Sequence, residues 1–197
     1  MHRLRLILAS GSPRRREILA ALGLEFDVRP VDADETPLPG ETAGEMVDRL
    51  ARAKAEAAAA PGCVVVGADT AVVLDGEMFA KPADRDDAVR MLLRLSDREH
   101  EVLTGVAVAA GGCVDSVVSR TRVRFRDIRR DEALDYWQSG EPRDKAGGYG
   151  IQGLGGVFVS NIEGSYSGVV GLPVFETATL LARAGVRITG IASDSES

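Results

Sequence analysis

The feature that most constrains the fold is an alternation of short apolar runs with segments of helical period, punctuated by two glycine turns. The apolar runs predict strands at 4–9, 26–31, 63–68, 71–74, 102–109, 114–125 and 157–162. The helical segments are 13–22, 43–60, 85–95, 131–139 and 173–184. Such alternation favours the α/β class. The two-residue turns Asp75-Gly76 and Gly111-Gly112 predict antiparallel hairpins, so we expect a mixed sheet flanked by helices rather than a doubly wound parallel one.

The length and composition indicate one domain with an ordinary core. The chain has 197 residues, of which 45% are hydrophobic and 27% charged, which is enough to fold without disulfide or metal staples. We assign residues 1–187 to this domain and expect 188–197 to be a flexible tail. The two cysteines form no CxxC pair and the chain has only two histidines. A zinc site built from these residue types is therefore excluded.

The charge balance disfavours nucleic acid and membranes as partners. Because 24 basic residues face 30 acidic ones, the formal charge is −6, and any polyanion must be held by a local cluster. The arginines of segment 120–130 alternate with apolar residues, which favours a solvated strand face over a nucleic-acid patch. The apolar stretch 6–9 is too short for a signal peptide, and the charge-free run 146–162 contains six glycines. We expect a cytoplasmic protein.

Three arginines crowd the start of the first predicted helix. Ser12 and Pro13 are typical of a helix opening, in which the serine side chain caps the first turn. Arginines follow at positions 14–16, where the helix dipole makes each cation unfavourable by about 0.3–1 kcal/mol. Either these cations, with hydroxyls of Ser10 and Ser12, bind a phosphate, or they form a solvated face paired with acidic residues.

An acidic, proline-interrupted segment lies between the second strand and the second helix. It carries four carboxylates, at Asp32, Asp34, Glu35 and Glu41. Such a segment is either a solvated loop or a source of oxygen ligands for Mg²⁺ or Mn²⁺ beside a nucleoside triphosphate. The pair Thr42 and Glu45 fits a capping box, which makes Glu45 structural.

Two lysines and one aspartate are further candidates. Lys54 lies on the apolar stripe of its helix, so its ammonium must either snorkel to water or meet an anion. Lys81, at the end of a short strand, raises the same question. Asp69 and Thr70 follow the buried run 63–68, where ligands gather beyond the ends of central strands. Asp69 there would bind a divalent ion or accept a proton from water; the alternative is a structural Asx-turn.

A glycine-rich segment occupies 144–156. It matches neither a Walker loop nor a dinucleotide fingerprint. Gln152 offers a donor and an acceptor to a base edge, and Tyr149 is a candidate for stacking on the base. Packing requirements alone would also account for these glycines and the tyrosine.

Taken in order, six motifs resemble those of the Maf family of nucleotide pyrophosphatases. They are SGSPRR at 10–15, DET at 34–36, Lys54, GADT at 67–70, AKP at 80–82 and DKAGGYGIQG at 144–153, and they span nearly the whole chain. The resemblance implies a twisted mixed sheet in two lobes around a cleft, related to the inosine triphosphate pyrophosphatases, and a homodimer. It also implies hydrolysis of a nucleoside triphosphate to the monophosphate and pyrophosphate with Mg²⁺ or Mn²⁺.

By the same resemblance, the motif residues acquire roles. Asp69 matches the proton acceptor, with Lys54 and Lys81 as further catalytic residues, and Glu35 joins Asp69 as a metal ligand. Substrate contacts fall to Ser10, Ser12, Arg14, Arg15, Thr70 and Gln152. The family branch that prefers dTTP and UTP carries Arg, Thr and Gln at the positions of Arg14, Thr70 and Gln152, so we expect that preference, extending to modified pyrimidines such as 5-methylated ones. Whether Glu35 or Glu41 binds metal stays open.

A second hypothesis is a nucleotide-sensing regulator of cell division or septum formation, which the family's association with septum formation suggests. Such a protein would bind UTP and leave it intact. An assay of pyrophosphate release separates the two hypotheses.

Overall fold

Seven strands form a single mixed sheet in the computed structural model, which describes residues 4–188. The strands are β1 (Arg5–Leu8), β2 (Asp27–Val28), β3 (Cys63–Leu74), β4 (Glu77–Phe79), β5 (Glu99–Ala110), β6 (Cys113–Phe125) and β7 (Val159–Glu163). Their order is β2-β1-β3-β5-β6-β7, with β4 also paired to β3. Strand β1 runs parallel to β2 and β3, and every other pair is antiparallel. The predicted mixed α/β architecture is confirmed.

Helices cover both faces of the sheet. They are α1 (Pro13–Ala21), α2 (Ala43–Ala57), α3 (Arg85–Leu95), α4 (Arg130–Gln138), α5 (Tyr166–Val170) and α6 (Val174–Arg183). In the first lobe, α1 and α6 bury Leu19 and Leu181 against β1 and β3. In the second lobe, α3 and α4 pack with β4 around Leu92 and Phe125. The buried side chains thus form separate clusters on either side of a cleft.

Strand β3 corrects one prediction and explains where the cleft lies. The runs 63–68 and 71–74 are one strand, because β5 pairs with β3 without a break from Val64 to Val73. On its other edge, β3 pairs with β1 at residues 63–66 and with β4 at 72–74. Among residues 4–188, no strand pairs with that edge between those two stretches. Asp69 and Thr70 therefore lie mid-strand, at a gap in the sheet rather than beyond a strand end.

Both predicted hairpins are present. The φ angles of Asp75 and Gly76 are 52° and 80°, and those of Gly111 and Gly112 are 58° and 83°. Positive φ at both central residues matches the right-handed twist of the strands that the turn joins.

Two glycines bring α2 unusually close to the sheet. A Cβ atom at Gly67 of β3 would lie 2.3 Å from the carbonyl oxygen of Ala51, and one at Gly105 of β5 would lie 2.3 Å from that of Val47. The helix backbone therefore occupies the space that side chains would take on these two strands. This close packing fixes the depth at which α2 presents Lys54 to the strand that carries Asp69.

The remaining elements differ from the predictions mainly at their ends. A 3₁₀ segment, Leu154–Phe158, precedes β7, and the short helix α5 was not predicted. The arginines of β6 lie on an exposed face and pair with acidic neighbours, as in Arg120 with Glu101, which confirms the solvated strand face. Apart from residue 188, the predicted tail lies outside the described residues. Within 4–188, none of the helices has the length and apolarity needed to cross a bilayer.

Candidate functional site

A cleft of about 930 Å³ opens at the gap in the sheet, between the two lobes. Every site residue singled out in the sequence lines it: Ser10, Ser12, Arg14, Arg15, Glu35, Lys54, Asp69, Thr70, Lys81 and Gln152. These residues come from stretches spread over most of the chain. The fold therefore gathers them in one place.

Three charged groups meet on the α2 side of the sheet. Strand alternation turns Asp69 toward α2, where Lys54 Nζ lies 2.7 Å from its Oδ1 and 2.8 Å from Oε1 of Glu35. Lys54 and Asp69 are only 7% and 8% exposed. Of the two alternatives for Lys54, the structure therefore shows the encounter with anions. The hydrogen bond from Lys54 lowers the pKa of Glu35, with further help from the charges of Lys81 and Arg15.

Arg15 is fixed on the opposite side of β3. Its Nη2 donates to Oγ1 of Thr70 at 3.2 Å, its Nη1 to Oγ of Ser10 at 3.2 Å, and its Nε to the carbonyl oxygen of Gly171 at 2.9 Å. Thr70 also shares a 3.0 Å hydrogen bond with Thr104. Burial lowers the pKa of the Arg15 guanidinium, which is still a cation at neutral pH because arginine titrates far above it. The guanidinium is thus held rigidly over the cleft.

The start of α1 corrects the predicted role of Ser12. Ser12 stands at the N-cap, yet its hydroxyl makes no capping hydrogen bond. Its backbone N–H instead donates to Oγ of Ser10 at 3.2 Å. The first turn of α1 therefore keeps N–H groups that no side chain caps, and such groups are suited to an anion. Arg16 is exposed and lies outside the cleft lining.

The far end of the cleft is built around Asp144. Arg14 Nη1 lies 2.9 Å from Oδ2 of Asp144, and Lys145 Nζ lies 2.7 Å from Oδ1. Although burial acts to raise it, hydrogen bonds from Lys145 and Arg14 hold the pKa of Asp144 at about 2. Gln152, eight residues after Asp144 in the same glycine-rich segment, is exposed and lines the same cleft.

The proposed stacking role of Tyr149 is not what the structure shows. Tyr149 is 5% exposed, and its hydroxyl lies 2.8 Å from Nε2 of His100. Its ring packs edge-on against Phe125, with centroids 4.7 Å apart. The preceding Gly147 and Gly148 have φ of 70° and 68°, a conformation that disfavours other residues. Packing therefore accounts for the tyrosine and for these glycines, although Tyr149, like Gln152, borders the cleft.

A family model described as Maf-like protein matches residues 5–184. The chain belongs to the Maf family. The dTTP/UTP pyrophosphatase of Hahella chejuensis is 55% identical over 192 residues, covering 94% of this chain and 95% of the relative. That of Vibrio cholerae is 53% identical over 180 residues, covering 90% and 96%. In three dimensions, the Staphylococcus aureus Ham1 protein aligns with 64% of this chain and 72% of its own, with a TM-score of 0.45 and 16% identity.

In this Maf-family chain the two candidate glutamates are clearly distinguished. Glu41 accepts hydrogen bonds from Arg49 at 2.5 and 2.8 Å and from the N–H of Leu38 at 3.0 Å. The hydrogen bond from Arg49 is the main reason that its pKa falls to about 2. Glu41 is outside the cleft lining, whereas Glu35 is inside it. Glu35 is therefore the glutamate placed to meet a ligand, while Glu41 and the Thr42–Glu45 capping box organise the helix start.

The Maf-family cleft offers donors that fit Mg²⁺ or Mn²⁺. Carboxylate oxygens of Glu35 and Asp69 converge on a single ammonium, at 2.8 and 2.7 Å. Residues 4–188 contain no cluster of three or more His, Cys, Asp or Glu arranged to hold an ion. Two carboxylates completed by water and phosphate oxygens are what Mg²⁺ commonly takes. The donor set thus suits an ion that arrives with a nucleotide.

Sequence reasoning overlooked Asp144 and Lys145 as residues of the Maf cleft. Both line it, and they open the motif DKAGGYGIQG. The available indication of their place in the site was an acidic residue followed directly by a basic one at the start of the glycine-rich segment. Arg14, the partner of Asp144, lies 130 positions away in sequence, so spacing alone could not reveal the contact.

Proposed function

We propose that this chain is a nucleoside triphosphate pyrophosphatase that hydrolyses dTTP and UTP to the monophosphate and pyrophosphate. The observation that carries the proposal is the convergence of Arg15, Lys54 and Lys81 with the carboxylates of Asp69 and Glu35 in one cleft. Relatives that are 53–55% identical over nearly their full length bear the name dTTP/UTP pyrophosphatase.

The triphosphate binds at the Arg15 end of the cleft. A triphosphate carries several negative charges, and Arg15 presents a guanidinium already fixed by three hydrogen bonds. Lys81 is exposed on the cleft wall between β4 and α3. The uncapped N–H groups of α1 and the hydroxyls of Ser10 and Ser12 add neutral donors. Preorganised cations of this kind stabilise charge that spreads over phosphoryl oxygens in the transition state.

Asp69 acts on the attacking water. The water adds to the α-phosphorus as the bond to the bridging oxygen of pyrophosphate breaks, and Asp69 orients the water or accepts its proton. Lys54 holds Asp69 in place through the 2.7 Å hydrogen bond. Lys54, together with Arg15 and Lys81, also neutralises the charge of the departing pyrophosphate. A divalent cation held by Glu35 and Asp69 would neutralise phosphate charge further.

The family resemblance assigns base choice to Arg14, Thr70 and Gln152. Because Thr70 accepts a hydrogen bond from Arg15, we propose that Arg14 and Gln152 contact the base and that Thr70 acts from the Arg15 side of the cleft. Uracil and thymine present the same hydrogen-bonding edge and differ only by the methyl group at carbon 5. Gln152 has both a donor and an acceptor for such an edge. A site that accepts both bases therefore tolerates substitution at carbon 5, and we extend the proposal to modified pyrimidine triphosphates such as 5-methylated ones.

Pyrophosphate release from a panel of triphosphates tests the proposal. We expect release from dTTP and UTP in the presence of Mg²⁺ or Mn²⁺, much less from purine triphosphates, and little in chelator. Asp69→Asn should lower kcat by about 10²–10⁴-fold, whereas Asp115→Asn, an exposed change on β6, should leave it unaltered. Tight binding of UTP without any pyrophosphate would instead establish the regulatory, non-catalytic hypothesis.

We propose a cytoplasmic homodimer that acts on free nucleotides and not on nucleic acid, in keeping with the family resemblance and the formal charge of −6. Light scattering should give twice the monomer mass of 20.9 kDa. A monomer mass at micromolar concentration would contradict the proposed dimer but not the proposed activity.

A further inference from the structure

An ion pair joins the two lobes across the cleft. Arg14 belongs to α1 of the first lobe, whereas Asp144 ends the 3₁₀ segment Glu141–Asp144 of the second, and their side chains meet at 2.9 Å. Arg14 is half-buried, with 23% of its side chain exposed. Both residues line the cleft. This contact therefore determines where one wall of the cleft places its guanidinium relative to the other wall.

The neighbouring arginines of α1 are held by different partners. Successive helical residues point about 100° apart. Arg15 is bound by Ser10, Thr70 and Gly171, on the side of the proposed phosphate site. Arg14 is bound by Asp144, on the side of the glycine segment that carries Gln152. The two cations thus contact different parts of the cleft lining.

Asp144 is suited to hold the Arg14 guanidinium while leaving most of its N–H donors available. Its two oxygens take one cation each, Lys145 on Oδ1 and Arg14 on Oδ2. Lys145 is itself anchored to the carbonyl oxygen of Glu141 at 2.6 Å, and only 12% of its side chain is exposed. A guanidinium has five N–H donors, and the bond to Asp144 occupies one of them at Nη1. The remaining donors are available to a ligand in the cleft.

We infer that Asp144 is a positioning residue for base choice, which sets the direction of the Arg14 guanidinium and thereby favours uracil and thymine over cytosine. The inference rests on the proposed function for the identity of the substrate. Uracil and thymine present two carbonyl acceptors on either side of the N3–H donor. Cytosine replaces one carbonyl by an amino donor. A guanidinium held toward that position bonds the carbonyl, but places donor against donor when the amino group is there.

A double-mutant cycle on nucleotide binding tests this role. The probes are UTP and CTP analogues in which an imido group replaces the oxygen between the α and β phosphorus atoms, so that base preference can be measured without turnover. Calorimetry gives the ratio of dissociation constants for the wild type, Asp144→Asn, Arg14→Ala and the double variant. We expect each single change to reduce the preference for the uridine analogue by about tenfold, the scale of one charge-assisted hydrogen bond. The double variant should lose no more than either single one.

Controls separate positioning from general damage. Asp144→Glu should restore much of the preference, because the carboxylate is kept. Asp115→Asn, which removes an exposed carboxylate outside the cleft, should leave the ratio unchanged. Melting temperatures should differ little among the variants, since the Asp144 side chain is 60% exposed.

Three results would overturn the inference. The Asp144→Asn variant could keep the full preference for the uridine analogue, or the losses of preference in the two single variants could add up in the double variant. Both analogues could also bind more tightly by the same factor, which would show that the ion pair only obstructs the cleft. A wild type that binds both analogues equally would also overturn it. Pyrophosphate release from unmodified UTP, measured in parallel, reports separately on the proposed function.

Discussion

Lys54 is a long cationic side chain that is only 7% exposed. In the proposed catalytic site it forms ion pairs with the carboxylates of Glu35 and Asp69. Burying charges costs several kcal/mol per ion, and their mutual attraction compensates only when the geometry is good. Hydrogen bonds of 2.7 and 2.8 Å from one ammonium satisfy that condition. The same arrangement that aims Asp69 therefore also makes the fold depend on Lys54.

Removing this ammonium should destabilise the protein. We predict that Lys54→Met lowers the free energy of unfolding by about 3–5 kcal/mol, because Asp69 is left buried without its partner. The double variant Lys54→Met with Asp69→Asn should regain much of that loss, since the unpaired charge is gone. Urea denaturation measures both. A double variant as unstable as the sum of its single changes would show that the pair is not coupled.

Arg15 and Arg16 form a matched pair for testing the phosphate site. Arg15→Ala removes a guanidinium held inside the cleft, whereas Arg16→Ala removes the same charge from an exposed position one residue away. We predict that Arg15→Ala reduces kcat/KM for UTP by about 10- to 100-fold, the scale of a charge-assisted hydrogen bond. Arg16→Ala should change it less than about twofold at moderate salt. Equal losses would indicate general attraction in place of a specific contact.

His100 should make the protein sensitive to acid. Burial lowers its pKa from 6.5 to about 4, and Nδ1 is a buried nitrogen without a hydrogen-bond partner in the described part of the chain. Because the unfolded chain binds a proton below about pH 6.5 and the folded one does not until about pH 4, stability falls as the pH drops through this window, by about 3 kcal/mol in total.

The matched variant for this prediction is His100→Gln, which retains a polar partner for Tyr149. Between pH 6.5 and 4, the free energy of unfolding should decrease by about 3 kcal/mol less in this variant than in the wild type. Denaturant titrations over that range measure the difference. Parallel curves for the two proteins would contradict a histidine that is kept neutral by burial.

At the scale of elements, β3 shows where local pattern and tertiary pairing diverge. Asp69 and Thr70 interrupt an apolar run, and a polar pair of this kind is typical of a turn. The strand continues because β5 pairs with it throughout, and because each polar side chain finds a partner, Lys54 for Asp69 and Arg15 for Thr70. Those partners come from α2 and α1, so the local sequence contains no trace of them.

The close packing of α2 can be tested with two alanine substitutions. Gly67→Ala would place a Cβ against backbone atoms of Ala51 and Ala55, which cannot rotate away. We predict that α2 shifts, that stability falls by about 1–3 kcal/mol as for other overpacked sites, and that pyrophosphate release falls because Lys54 moves with the helix.

Gly44→Ala is the control, since it lies on the same helix and a Cβ there would meet no atom within 4 Å in the described structure. Its stability should stay the same or rise by up to about 1 kcal/mol, as expected for glycine replaced by alanine in a helix. Thermal melting and pyrophosphate release measure both variants. A Gly67→Ala protein as stable and active as Gly44→Ala would show that the helix depth does not matter.

For the whole molecule, the sequence was informative wherever structure is set locally. The class, the two glycine hairpins, the capping box at Thr42 and the alternating face of β6 follow from neighbouring residues. Strand order and the division into two lobes depend on long-range pairing, which composition and spacing do not determine. The motif residues all line one cleft, but the buried position of Tyr149 and the hydrogen bond from Arg14 to Asp144 could be seen only in the folded structure.

The proposed function requires one cleft to bind the phosphates, to present the Asp69 carboxylate and to receive the nucleobase. Hydrolysis of UTP in water enriched in heavy oxygen tests this most directly, with phosphorus NMR and mass spectrometry of the products. We expect UMP that carries the heavy oxygen and pyrophosphate that carries none, at a rate that Asp69→Asn lowers by about 10²–10⁴-fold. Recovery of intact UTP, release of orthophosphate, heavy oxygen in the pyrophosphate, or full activity in Asp69→Asn would contradict this expectation.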